Sequence, residues 1–477
     1  MSWITGVGLL PYGRHEAKST LDLMSAAATL AMADAGVARG DIDGVLTGYA
    51  TTMPHIMLAT VFCEHFGLQP VYAHGLQVGG ATGFAMVMLA HELVAAGRLR
   101  NVLVVAGENR MSAPGGRDKI VETLAQVGHP VHEVPLGPTI PAYYGLVANR
   151  YMHEYKISAR DLAEFAVLMR ANAATHPGAQ FKEAITVDDV LGSKPIAQPL
   201  RLLDCCATAD GGAAFVISRE RTGAAGVRII GAGQAHTHQH ISEAPSLTEF
   251  GARLSMDRAI EAAGRKRQLH DHTRDPARRT GLGAARTVGP DGARRTFLPR
   301  RRQAAQYARR TAQLWPLRCR RRPRPPRRNT LADDGPRRLA PGCRYGPRGA
   351  ARRRRRHVLA CQPDPGAAVM SDGIRYQRCG GCGHTWYFVR SFCPRCGATA
   401  VSKHTASGRG VVHAVTIVDR APTAEMKALA PYTLVMVDAE EGFRLMAHGA
   451  PGLAIDDPVQ GSIVERAGRA IPLFRRV

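Results

Sequence analysis

At 477 residues the chain is long enough for two or three domains. Its formal net charge of +24 points towards a polyanion partner, but residues 265–360 hold 30 Lys and Arg against 5 acidic residues. The rest of the chain is therefore at about −1, which excludes a general polyanion-binding surface, and no run of about 18 apolar residues marks a membrane span. The opening MSWITGVGLLPYG has no basic region and no cleavage site, so no secretory signal is expected. Ten cysteines without such a signal predict a reducing, cytoplasmic setting and free thiols.

The first block, residues 1–264, reads as α/β. Leu21–Gly36 is an alanine-rich amphipathic helix stopped by glycine. Ala81–Gly97 is a second helix, apolar almost all round and expected to be buried, with a strand at Val102–Ala106 directly after it. Ser158–Pro177 opens on a serine cap and ends before a proline. Ala213–Ile217 is another apolar strand. Cys63 lies in an apolar helical run and reads as core. Cys205 and Cys206 precede a loop-to-strand turn and read as packing residues; His74, His129, His132 and His153 carry no signal beyond structural or exposed histidine.

The order of GVGLLPYGR (Gly6–Arg14), VGGATGFAMVMLAHELVAAG (Val78–Gly97), VVAGENRMS (Val104–Ser112), ANAATHPGAQ (Ala171–Gln180) and PLRLLDCCATADGGAAFVIS (Pro199–Ser218) resembles the thiolase superfamily. Within it, the similarity is to sterol-carrier-protein-type thiolases and lipid-transfer-protein-like aldolases. Gly226–His238 is similar to the strand that opens the second half of that fold. The resemblance implies the first half of an αβαβα fold, acyl-CoA thioesters as substrates and pairing into homodimers through this half. It also implies a cysteine nucleophile at the N-terminus of the buried helix, where the helix dipole favours thiolate. The matching slot here is Val78, and valine forms no acyl-enzyme. Two readings stay open: a glycine-rich turn that only packs a helix on a sheet, or a cysteine-less retro-aldolase, which needs a base and a stabilised enolate. In the second reading Gly79, Gly80 and Thr82, within the turn Val78–Gly83, face the substrate.

The last block begins at Met370. Cys379-x-x-Cys382 and Cys393-x-x-Cys396 flank a ten-residue loop, and four thiolates at that spacing hold a tetrahedral zinc. Gly380, Gly381, Gly383, Pro394 and Gly397 let the backbone turn around the ion. A closed four-cysteine site predicts structural zinc. Residues 401–477 alternate as a small barrel of about five strands. A zinc ribbon (370–400) followed by such a barrel resembles the acyl-CoA-associated zinc-ribbon/OB-fold family, members of which accompany thiolase-like enzymes as partners. An OB-fold also raises a nucleic-acid reading; few aromatics and nearly balanced charge stand against it.

Residues 265–369 join the two. Within 265–360, Lys266 is the lone lysine among the 30 basic residues, as GC-rich DNA gives in an unselected frame, and such a segment buries no core and is expected to be disordered. Read one nucleotide later, the codons behind QYARRTAQLWPLRCRR (Gln306–Arg321) can encode NTHGGQLSYGHSGAAG, which resembles the histidine motif of the second thiolase half. Arg267–Thr287 can encode a sequence similar to the family's YD-containing helix, and Arg352–Pro365 one similar to its C-terminal strands. Val369-Met370, read as GTG ATG, places a TGA stop across the Met370 start. The expectation is a frame-shifted join of two adjacent genes near Gly264–Arg267, leaving the enzyme incomplete, impaired and poorly soluble. The alternatives are a real arm that binds nucleic acid or an anionic surface, acyl-CoA acyl transfer, or a non-catalytic acyl-CoA scaffold.

Overall fold

The computed structural model describes residues 1–114, 116–221, 226–264 and 373–477. The arginine-rich block, the frame-shift reading and the first residues of the expected ribbon lie outside the described residues.

In the first block β1 (Ser2–Leu9), α1 (Thr20–Ala35), β2 (Gly44–Gly48), α2 (Leu58–Phe66), β3 (Tyr72–Leu76), α3 (Thr82–Ala95) and β4 (Asn101–Asn109) come first. Then follow α4 (Gly116–Ala125), α5 (Ile140–Tyr155), α6 (Ala159–Thr175), α7 (Val187–Gly192), β5 (Pro195–Ala197), β6 (Leu200–Arg201), β7 (Asp210–Ser218), β8 (Val227–Ile229) and α8 (Gly251–Ala262). Six strands form one sheet in the order β3-β2-β4-β7-β1-β8. β2 runs parallel to β3 and β4, while β7 runs antiparallel to β4 and β1. Side chains alternate along β4: Leu103 and Val105 pack under α1, Val102 and Val104 under α3.

The alanine-rich character of α1 has a steric cause. A Cβ on Gly6 or Gly8 would lie 2.1 Å from the Ala31 carbonyl oxygen and 2.0 Å from that of Ala27. Glycine on β1 and alanine on α1 thus let the two backbones approach. Ser19 and Asp22 form the capping box that starts α1, and Gly36 ends it in the left-handed region at φ 67°. Ser158 and Asp161 cap α6 the same way.

Helix α3 departs from expectation. It buries Thr82, Ala85, Met86, Ala90 and Val94 against the sheet, but Phe84 is 86% exposed. Its all-round apolarity reflects two faces, of which the sheet covers one.

The last block starts with a three-stranded ribbon, β9 (Arg375–Cys379), β10 (Thr385–Trp386) and β11 (Val401–Thr405), with β9 central. Strands β12 (Arg409–Val418), β13 (Tyr432–Ala439), β14 (Arg444–Gly449), β15 (Pro458–Arg466) and β16 (Arg469–Arg476) close into a barrel in the order β12-β13-β14-β16-β15-β12. Only the β14–β16 pairing is parallel. Val412, Val435, Val437, Leu445, Val459 and Phe474 fill it. This is the five-stranded OB-fold barrel expected from the alternation.

The barrel and the first block share a core that the sequence did not announce. Leu136, Ala142, Leu146 and Ala197 pack against Val418, Leu434, Met436 and Ile471. β5 extends the barrel wall: the Gln198 amide donates to the Ile417 carbonyl (2.9 Å), and the Asp419 amide to that of Ile196 (3.1 Å). Asn149 of α5 donates to the Gln198 and Val415 carbonyls (3.0 and 2.7 Å). The Tyr432 hydroxyl donates to the Gly137 carbonyl.

Gly145 sits where α5 crosses β12. A Cβ there would meet Thr416 Oγ1 at 2.6 Å and the Ala197 and Gln198 carbonyls at 3.0 and 3.1 Å. Alanine raises helix propensity by about 1 kcal/mol over glycine, but overpacking costs about 1–3 kcal/mol, and two of the three neighbours are backbone. Gly145→Ala is therefore expected to weaken the docked state. Gly192→Ala, where a Cβ meets nothing within 4 Å, should not. Denaturant titration with hydrogen exchange of β12 distinguishes the two.

Candidate functional site

The parallel strands β2, β3 and β4 end on one edge, and α3 begins there, the position where open α/β sheets present ligand sites. The turn Gln77–Ala81 connects β3 to α3 and is exposed. Gly79 adopts φ +62°, which a side chain rarely tolerates. Thr82 Oγ1 accepts from the Val78 amide (3.1 Å) and donates to the Gly79 carbonyl (2.7 Å). Thr82 is 7% exposed, and its methyl lies near the end of β2. Thus its hydroxyl fastens the turn, while Val78, Gly79 and Gly80 form its open surface. Val78 stands four residues before the first residue of α3, and Gly80 and Ala81 stand nearer the helix mouth. A Cβ on Gly80 would meet nothing within 4 Å. At every position of this turn the helix dipole finds no group that could become a nucleophile.

Two carboxylates on the same edge escaped the sequence reading. Glu108, near the end of β4, accepts the Thr51 amide and hydroxyl and the Thr52 amide, and pairs with Arg110. Asp210 is fully buried and accepts the His15, Met111 and Ser112 amides and the Ser112 hydroxyl. Burial pushes its carboxyl up, but these donors together hold it below its usual value. Both acids pin the loops of the rim. Their signal lay in the GEN and ADGG ends of the strand runs, where polar residues follow an apolar strand.

Cys63 is 6% exposed and its thiol is pushed up by burial, in keeping with a core role. Cys206 is exposed and Cys205 only partly covered, which corrects the packing role expected for the pair. The chain is extended at Cys205, so the neighbours face opposite ways and only one can turn inward. His153 reaches Asp456 of the barrel at 3.0 Å. His74 is exposed and stacks on Tyr72. His129 and His132, also expected to be ordinary, cluster against Phe388 of the ribbon.

The four ribbon cysteines converge. Cys379 and Cys396 sulfurs are 3.6 Å apart, those of Cys382 and Cys393 3.7 Å, and all four lie within 4.8 Å of one another. A tetrahedral zinc with bonds of about 2.3 Å separates its sulfurs by about 3.8 Å, so the set fits that ion. The Gly381 and Cys382 amides donate to Cys379 Sγ, and the Arg395 amide to Cys393 Sγ. The Cys382 amide first, with the Gly381 amide and the neighbouring Cys396 and Cys393, lowers the Cys379 thiol to about 6, which favours the thiolate a metal needs. Where ribbon, barrel and first block meet, a cavity of about 440 Å³ is lined by Ser242–Pro245, His384–Tyr387, Asp438, Ala439 and Gly442–Arg444. Its charges are internally paired: Arg444 donates to both oxygens of Asp438 (2.6 and 3.1 Å) and to the Ala244 carbonyl (3.3 Å). No helix among the described residues is long and apolar enough to cross a membrane.

Comparison with known proteins divides the chain in the same way. Residues 4–221 match the thiolase N-terminal domain, residues 368–402 the ChsH2 rubredoxin-like zinc ribbon domain and residues 403–464 the ChsH2 C-terminal OB-fold domain. A steroid side-chain-cleaving aldolase of Thermomonospora curvata is 32% identical over 232 residues, 46% of this chain and 57% of that protein. An acetyl-CoA acetyltransferase of Methanocaldococcus jannaschii is 31% identical over 221 residues, 45% of this chain and 54% of that protein. The chain thus spans little more than half the length of these relatives. The crystal structure of a monomeric SCP2-thiolase-like protein from Mycobacterium smegmatis superposes with a TM-score of 0.57 at 15% identity, covering 100% of this chain and 99% of that one, which speaks for the fold alone.

Proposed function

From a chain that joins the thiolase N-terminal domain to a ChsH2 zinc ribbon and OB-fold, we propose that the assembly cleaves carbon–carbon bonds in 3-hydroxyacyl-CoA thioesters by a retro-aldol reaction. The turn before α3 carries this reading: it offers valine, glycine and alanine where acyl transfer needs a thiolate. In the reaction a base takes the proton of the 3-hydroxyl. The C2–C3 bond breaks, its electron pair stays on C2 as the thioester enolate, and C3 leaves as a ketone or aldehyde. Protonation of C2 then yields the shortened acyl-CoA. The exposed amide-rich turn Val78–Ala81, at the positive end of α3, is suited to bind the thioester side of such a substrate. The similarity to a steroid side-chain-cleaving aldolase supports a bulky branched acyl group.

The base is assigned to the second thiolase half, encoded out of frame within residues 265–369, so the chain as written binds without completing the reaction. Cys379, Cys382, Cys393 and Cys396 hold a structural zinc, which cross-links the ribbon and leaves no open coordination position. Pairing of two copies through the first block, in the cytoplasm, completes this reading. The test is to supply a 3-hydroxyacyl-CoA to the frame-restored first block together with the ribbon and barrel, and to assay the released carbonyl compound and the shortened acyl-CoA. Turnover that instead requires free CoA and a 3-oxoacyl-CoA would establish acyl transfer and sink the aldolase reading.

A further inference from the structure

The segment Val127–Gly137 of the first block packs against the ribbon and carries an arrangement that the catalytic reading does not use. The rings of His129 and His132 are 4.7 Å apart, and His240 lies 5.2 Å from His129. All three surround one ribbon side chain, Phe388, at 4.2, 5.0 and 5.5 Å, and Phe388 is 3% exposed. Tyr387 closes the far side, 4.6 Å from His132. Behind the rings Glu133, fully buried, staples two segments of the first block. One oxygen accepts the Ser242 amide (3.1 Å) and hydroxyl (2.7 Å); the other accepts the His129 amide (2.9 Å) and lies 3.5 Å from His240 Nδ1.

We propose that this histidine cluster is a proton-sensitive clasp, which holds the ribbon on the first block at neutral pH and releases it in mild acid. The hydrogen bonding fixes the resting state. The Val131 and His132 amides both donate to His129 Nδ1 (3.2 and 3.3 Å), so that nitrogen carries no proton. A proton placed there expels both amides and opens the turn that presents the rings to Phe388. Opposing forces act on the charged form. Glu133 and Glu243 attract it, as does the face of an aromatic ring. Burial, the neighbouring histidines and Arg390, which pairs with Glu243 at 2.8 Å, oppose it. The opposing side wins: burial first, then His240, lowers His129, and burial first, then His129, lowers His132 to about 3. Groups depressed on docking stabilise the docked state fully above about 6.5, their ordinary value, and progressively less as pH falls below it.

Hydrogen exchange of the full chain, with labelling times scaled for pH, follows peptides across 127–137 and 385–392 between pH 7.5 and 5.0, while bound zinc is monitored. Each histidine that charges on release makes opening about tenfold more favourable per pH unit, so two give up to about a hundredfold. His129→Asn with His132→Phe keeps an oxygen for the two amides and a ring on Phe388; it should match the native protein at pH 7.5 and lose the slope. His132→Phe alone should keep half of it. A native chain whose opening does not change between pH 6.5 and 5.0, or a double variant with the native slope, overturns the clasp. So does loss of zinc in step with opening in both proteins, because thiol protonation would then be the trigger.

Discussion

Chelating the ribbon zinc is expected to unfold residues 374–405 while leaving the barrel closed. The ribbon has almost no core of its own: Cys379, Trp386 and Cys393 are its buried cluster, with Ala398 and Val401 beside them. A segment of that size does not bury enough apolar surface to offset about 1.5 kcal/mol of ordering entropy per residue. A structural zinc supplies about 10–16 kcal/mol at pH 7, an amount that decides the outcome. The barrel rests on a different set, Val412, Val435, Leu445 and Phe474, joined through strand pairing rather than metal. Cys393→Ser should therefore lower bound zinc from one ion per chain to none and abolish the near-ultraviolet signal of Trp386, whose indole donates to Gln377 in the ribbon. Cys206→Ser, at an exposed thiol outside the cluster, should keep both. Retention of zinc and of ribbon protection in Cys393→Ser would rule out the four-thiolate site.

What could be read from the sequence was what short stretches determine. The capped ends of α1 and α6, the strand at Val102–Ala106 and the cysteine knuckles each depend on residues within a few positions of one another. What was misread or missed shares a cause: it turns on what a residue meets far along the chain. Periodicity marked α3 as apolar but could not say that only one face meets the sheet. Gly145 is an ordinary helical glycine until β12 crosses it, and His129 an ordinary loop histidine until Phe388 arrives. The Glu108 and Asp210 staples join loops 57 and 98 or more residues apart, a separation no local pattern encodes.

On the proposed frame-shift reading, restoring the frame across residues 265–369 is expected to raise turnover and to divide the chain into two proteins that act together. The out-of-frame codons can encode sequences that resemble the histidine motif and the YD-containing helix region of the thiolase family, and a positioned base alone contributes about 10²–10⁴ in rate. The same change should cover the free face of α3, where burying Phe84 is worth about 2 kcal/mol. The chain as written should then self-associate in sizing experiments, and the corrected one should not form such large species. If the corrected DNA places a TGA across the Met370 codon, the ribbon and barrel become a separate protein. They should nevertheless remain bound to the first block, because β5, Tyr432 and the Leu136–Leu434 core hold them without a covalent link. Resequencing the DNA behind residues 255–375 comes first, followed by co-purification of the two corrected products and the 3-hydroxyacyl-CoA assay. If the frame stands and the chain as written already turns over at the rate of the restored pair, the arginine block is functional protein and the frame-shift reading falls. Two corrected products that separate on purification would instead make the covalent join a requirement, and the shared core too weak to serve as an interface.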